Sequence, residues 1–120
     1  MDERIEKWLY DIRFAIEEIE SFFEHTERNY DIFKQNVMLK RAIERNLEII
    51  GEAINRILSR NPEIEITNAR KIVNLRNFVV HSYDSISDAN IWAIVINNVP
   101  ELKKEIERLI LTANKQHLRG

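Results

Sequence analysis

The sequence predicts an all-α protein: an antiparallel four-helix bundle with a kinked last helix, built as a single domain over residues 1–120. Apolar residues recur at three- and four-residue spacing through four successive segments, and no strand-like alternation competes with them. Only two Gly and two Pro punctuate 120 residues, so the connections must be few and short. Amphipathic helices joined by short connections bury their stripes by packing side by side in alternating directions.

The first stripe is Ile5, Trp8, Leu9, Ile12, Ile16, Ile19, Phe22 and Phe23, which predicts a helix to about residue 25. A polar stretch at Asn29-Tyr30-Asp31 follows, with Asp31 the expected cap of the second helix. That helix carries Leu39, Ile43, Leu47, Ile50, Ile54 and Ile57 and stops at Asn61-Pro62. Gly51 inside it costs about 1 kcal/mol relative to Ala, which suggests close approach by another backbone. The third and shortest helix is expected from Thr67 or Asn68 to His81, with Ile72, Val73, Leu75 and Val79 inward. Ser85 and Asp88 have capping-box character and open the fourth helix. Its stripe of Trp92, Val95, Val99, Leu102, Ile106, Leu109 and Ala113 keeps step through Pro100, which predicts a kink and not a break. Residues 116–120 are expected to fray.

The composition, 44% hydrophobic and 32% charged, is that of a folded chain. The absence of cysteine excludes disulfides, thiolate metal sites and a cysteine nucleophile. No stretch reaches the ~20 apolar residues of a membrane span, and the charged start Met1-Asp2-Glu3-Arg4 lacks the apolar run of a signal peptide. These features predict a cytoplasmic protein that does not enter membranes. The net charge of −2 conceals an uneven distribution. Residues 1–27 hold nine acids against three bases, residues 28–80 ten bases against six acids, and residues 81–120 five of each. A central basic surplus including Arg41, Arg45 and Arg56 can attract a polyanion, although ordinary solvated helix faces produce the same count.

Several chemistries are missing. None of His25, His81 and His117 follows a Glu by three positions, as carboxylate di-metal bundles require, and no His pair stands four apart. The Gly-rich turns of nucleophile elbows and phosphate loops are absent. The remaining run is Arg76-Asn77-Phe78-Val79-Val80-His81-Ser82-Tyr83. On a helix of about 100° per residue, Arg70, Asn74, Asn77 and His81 share a ~60° stripe opposite Val73, Leu75 and Val79, while Arg76 and Tyr83 lie near each other at its edge. An imidazole that titrates near neutrality and a guanidinium fork are a usable set for phosphodiester chemistry. A His favoured by the dipole at a helix C-terminus, beside a surface Arg, would look the same.

The pattern Arg, four residues, His, one residue, Tyr resembles the signature of the HEPN superfamily branch typified by HepT toxins. Here it falls on Arg76, His81 and Tyr83, with Asn77 following the Arg as that family favours. Ile49-Ile50-Gly51-Glu52-Ala53 resembles the family's second-helix segment, and Ile91-Trp92 with Val99-Pro100-Glu101-Leu102 its last helix. The likeness spans about residues 40–110. Where the family often has a Trp shortly before the motif helix, this chain has Thr67-Asn68-Ala69.

The resemblance implies an endoribonuclease toxin that cleaves RNA without metal or other cofactor, through attack of the ribose 2′-hydroxyl on the adjacent phosphate. His81 and Arg76 would be the catalytic pair, with Asn77, Tyr83, Arg70 and Asn74 in substrate-binding or supporting roles. It also implies a homodimer with the site at its interface and control by a nucleotidyltransferase antitoxin of the MntA type. In that system Tyr83 would be the residue that receives AMP; packing of its ring at the dimer seam is the other reading. Two alternatives share the fold: a non-catalytic HEPN bundle that presents substrate to, or binds, a nucleotidyltransferase, and a purely structural dimerisation domain.

Overall fold

The computed structural model describes residues 2–66 and 88–119, and these residues are all-α, without a strand. Helix α1 runs Glu3–Phe22. Its Asp2 cap accepts the Arg4 N–H at 2.7 Å, and Glu3 and Glu6 place negative charge at the positive end of the helix dipole. The helix ends a turn sooner than its apolar stripe suggests. The Phe23 N–H turns back to the Glu20 carbonyl at 3.1 Å, and the Phe23 ring meets Trp92 edge-on at 5.9 Å.

The expected second helix is two. A short α2, Tyr30–Gln35, is capped by Asn29, whose side-chain oxygen accepts from the Asp31 and Ile32 N–H groups at 2.9 and 3.2 Å. Asp31 therefore sits in the first turn and is not the cap. Extended backbone at Asn36 breaks the helix, and the Asn36 side chain accepts the Leu39 N–H at 3.0 Å to start α3, Val37–Arg60. Both caps are asparagines, which trade helical backbone for a bond to an otherwise orphaned N–H.

Helix α3 buries the expected Leu39, Ile43, Leu47, Ile50, Ile54 and Ile57. Gly51 is buried among them with an ordinary negative φ, so the space it leaves, not conformational freedom, sets its use. Asn46 is the one polar residue in the core among the described residues, and its Nδ2 donates to the Ala42 carbonyl at 2.9 Å. The third expected helix, Thr67 to His81, lies outside the described residues, as does Ser85.

The last helix is interrupted, but not by a simple bend. Helix α4, Asp88–Ala93, passes into a π-turn at Ile94–Asn98 and then α5, Val99–Arg119. The Val99 N–H reaches back five residues to the Ile94 carbonyl. Pro100 cannot donate, and its ring crowds the carbonyl four residues earlier, so a locally wider turn relieves the clash while the chain stays helical. Val95, Val99, Leu102, Ile106 and Ala113 remain buried through the change, joined by Ile110, while Leu109 is half-buried.

The core is a continuous seam of α1, α3 and α5, closed at one end by Phe33 of α2 and by Ile91, Ile94 and Val95. Surface polar contacts tie its ends: ion pairs of Asp2 with Arg60 and of Glu20 with Lys103, and a hydrogen bond between His117 Nε2 and the Glu6 carboxylate at 2.7 Å. Each is partly solvated, and such contacts stabilise little because water and salt screen them, so burial carries the fold. Among the described residues, no helix is long and apolar enough to cross a membrane.

Ile54 is fully buried in the middle of α3. Replacing it with Ala should lower unfolding stability by about 2–5 kcal/mol. Leu111→Ala, at a side chain 59% exposed, should change it by less than about 0.5 kcal/mol. Urea unfolding of the two variants checks the contrast.

Candidate functional site

The candidate residues Arg70, Asn74, Arg76, Asn77, His81 and Tyr83 lie outside the described residues. What the structure fixes is the pair of anchors between which their segment runs. On the entry side, Asn61 ends α3, its N–H bonded to the Ile57 carbonyl at 2.9 Å. Its side-chain and main-chain oxygens accept from the N–H groups of Glu63 and Ile64 at 3.3 and 3.2 Å. This compact turn aims the chain back so that Ile64 and Ile66 pack on the core.

On the exit side, the Asp88 carboxylate accepts from Lys40 Nζ of α3 at 3.3 Å, and both side chains are about three-quarters shielded from solvent. Three residues on, Ile91 is 1% exposed, and Trp92 packs between α2 and the end of α1. Its ring lies 5.1 Å from Phe33 and 6.3 Å from Tyr30. The Arg28 guanidinium caps the same cluster from outside, 5.0 Å from the Phe23 ring. Apolar contact, an aromatic cluster and one ion pair thus hold in place the first described residues after the segment carrying Arg76 and His81.

Sequence reasoning missed the Lys40–Asp88 contact because its partners stand 48 positions apart and no local spacing announces it. It also grouped Arg41, Arg45 and Arg56, all of which the structure places on α3. Arg56 pairs with Glu52 within α3 at 3.3 Å. Arg41 and Arg45 are exposed one turn apart, next in the chain to the Lys40 corner. Glu44 lies half-buried in that corner, and desolvation holds its carboxyl above the usual carboxylate range despite the nearby charges of Arg41 and Lys40.

The family model described as Ribonuclease HepT-like matches residues 12–109, a span that contains every candidate residue. A candidate RNase of Methanocaldococcus jannaschii is 34% identical over 105 residues, covering 86% of this chain and 94% of that protein. A second from the same organism is 31% identical, over 88% of this chain and 87% of its own length. A Thermococcus cleftensis protein named probable ribonuclease HepT is 33% identical, over 85% and 92%. No solved structure matches the chain.

The raised pKa of Glu44 has a signed consequence. The folded state holds this proton more tightly than the unfolded chain, so Glu44 costs stability as pH rises through its folded pKa and costs nothing in acid, where both states are protonated. Glu44→Gln should therefore raise the melting temperature at neutral pH, with the gain vanishing in acid. Thermal unfolding of both proteins across this range tests it, and a gain that persists at low pH would assign the effect to packing.

Proposed function

We propose a function that begins from the family: the chain belongs to the Ribonuclease HepT-like family. It is an endoribonuclease acting on RNA, and the observation that carries the reading is the Arg76, His81, Tyr83 spacing inside the matched span. Its chemistry needs no metal. A ribose 2′-oxygen attacks the adjacent phosphorus, the bond from phosphorus to the 5′-oxygen breaks, and the products are a 2′,3′-cyclic phosphate and a 5′-hydroxyl.

One proton leaves the 2′-hydroxyl and another arrives at the 5′-oxygen. An imidazole that titrates near neutral pH can serve either transfer, which is the role of His81. Negative charge grows on the non-bridging oxygens as the phosphorane forms, and the fixed donor fork of Arg76 meets it there. Asn77 orients the phosphate or His81, and Arg70 and Asn74 support the strand. A homodimer with two motifs facing each other supplies one imidazole as base and the other as acid, and it doubles the cationic charge on the phosphate.

Control by a nucleotidyltransferase antitoxin completes the proposal and makes the chain the toxin of a pair, working in the cytoplasm. Transfer of AMP to the Tyr83 hydroxyl, with release of pyrophosphate from ATP, places bulk and negative charge beside the site and blocks RNA entry.

Purified, unmodified chain should cleave RNA in EDTA and leave cyclic-phosphate ends. His81→Ala and Arg76→Ala should each lose about 10²–10⁴-fold in rate while staying folded by circular dichroism. A folded, unmodified dimer that cuts no RNA would overturn the enzyme reading in favour of a substrate-presenting bundle. Separately, intact mass after coexpression with a nucleotidyltransferase should show added AMP lost in Tyr83→Phe; neutralised toxicity without added mass would remove the modification.

A further inference from the structure

Along the edge of their packed seam, α1 and α3 leave a groove of about 470 Å³. Its origin is legible in residue sizes. Ala15 of α1 and Ala53 of α3 are nearly fully buried and put only methyl groups at the floor. Trp8, Phe14 and Ile49 stand around them as walls. Phe14 is 68% exposed and Ile49 40%, so two large apolar side chains of the groove remain in water.

The rim is acidic. Asp11 and Glu18 on α1 face Glu48 and Glu52 on α3; Lys7 pairs with Asp11 at 3.0 Å and Arg56 with Glu52 at 3.3 Å, so Glu18 and Glu48 carry the net negative charge of the rim. From Trp8 to Glu18 the groove follows α1 for about 15 Å, the length of some three helical turns. An apolar trough of that length with a negative rim selects its occupant by charge. RNA is repelled by the carboxylates. A second copy docking this face on itself would oppose two acidic rims. A helix with apolar residues at i, i+3/i+4 and i+7 and Lys or Arg along its flanks meets both demands.

We infer that the α1–α3 groove is a docking site for a cationic amphipathic helix of a partner protein. Phe14 and Ile49 take up the partner's apolar stripe, and Glu18 and Glu48 pair with its flanking cations. The site is independent of RNA cleavage: it rests on the opposite sign of charge and on residues outside the Arg76 to Tyr83 run.

The test uses the full chain and a labelled synthetic helix of about 18 residues, with Leu on one face and Lys elsewhere, beside the same peptide with Glu in place of Lys. Fluorescence anisotropy should show binding of the Lys peptide only, weakening with salt. The double charge reversal Glu18→Lys/Glu48→Lys should weaken it at least about tenfold, and Phe14→Ala should weaken it without altering the circular dichroism spectrum. Absence of Lys-peptide binding, or binding indifferent to these substitutions, overturns the site. So does conversion of a dimer to a monomer by Phe14→Glu in light scattering, which would make a second copy the occupant.

Discussion

The antiparallel packing of α1 on α3 is the contact on which the rest of the molecule depends. Leu9, Ile12 and Ile16 of one helix and Leu47, Ile50 and Ile54 of the other are all fully buried, and each such side chain contributes about 1.5–3 kcal/mol on leaving water. Helix α5 completes this seam with Leu102 and Ile106 and adds the Lys103–Glu20 ion pair and the His117–Glu6 hydrogen bond to α1. The edge of the same seam carries Ala15 and Ala53, small members of the buried core, so a single packing arrangement produces both the core and an open groove beside it.

Function places a different demand on the fold. The described residues that flank the segment bearing Arg76 and His81 are Ile66, packed on the core, and Asp88, bonded to Lys40 of α3. Trp92 matters most on the Asp88 side, because it bonds the start of the last helix to three other aromatic rings from α2 and the end of α1.

The helices were legible in the sequence because burial follows periodicity: the stripes of α1, α3 and α5 appear in the core nearly residue for residue. Their ends were less legible. Asp31 and Asn29 are both good caps, and only three-dimensional backbone geometry decides for Asn29. The break at Asn36 falls between apolar residues that fit one helix or two. The motif residues could be named from spacing and resemblance, but spacing carries no information on the Lys40–Asp88 corner, where a carboxylate meets a lysine from another helix. The groove was hidden for a similar reason, since alanines on an apolar stripe read as core and only the paired positions of Ala15 and Ala53 turn two small residues into a trough.

The π-turn at Ile94–Asn98 can also be seen as a matter of chain length. Closing a turn with a bond to the carbonyl five residues back where an α-helix reaches four is equivalent to inserting one residue, which rotates everything before it by about 100° relative to everything after it. Trp92 stands before that point and the Leu102–Ile106 stripe after it. The direction in which Trp92 faces α2 is therefore set by a residue count. A homologous chain one residue shorter here would have to carry its aromatic anchor at a different position to close the same end of the bundle.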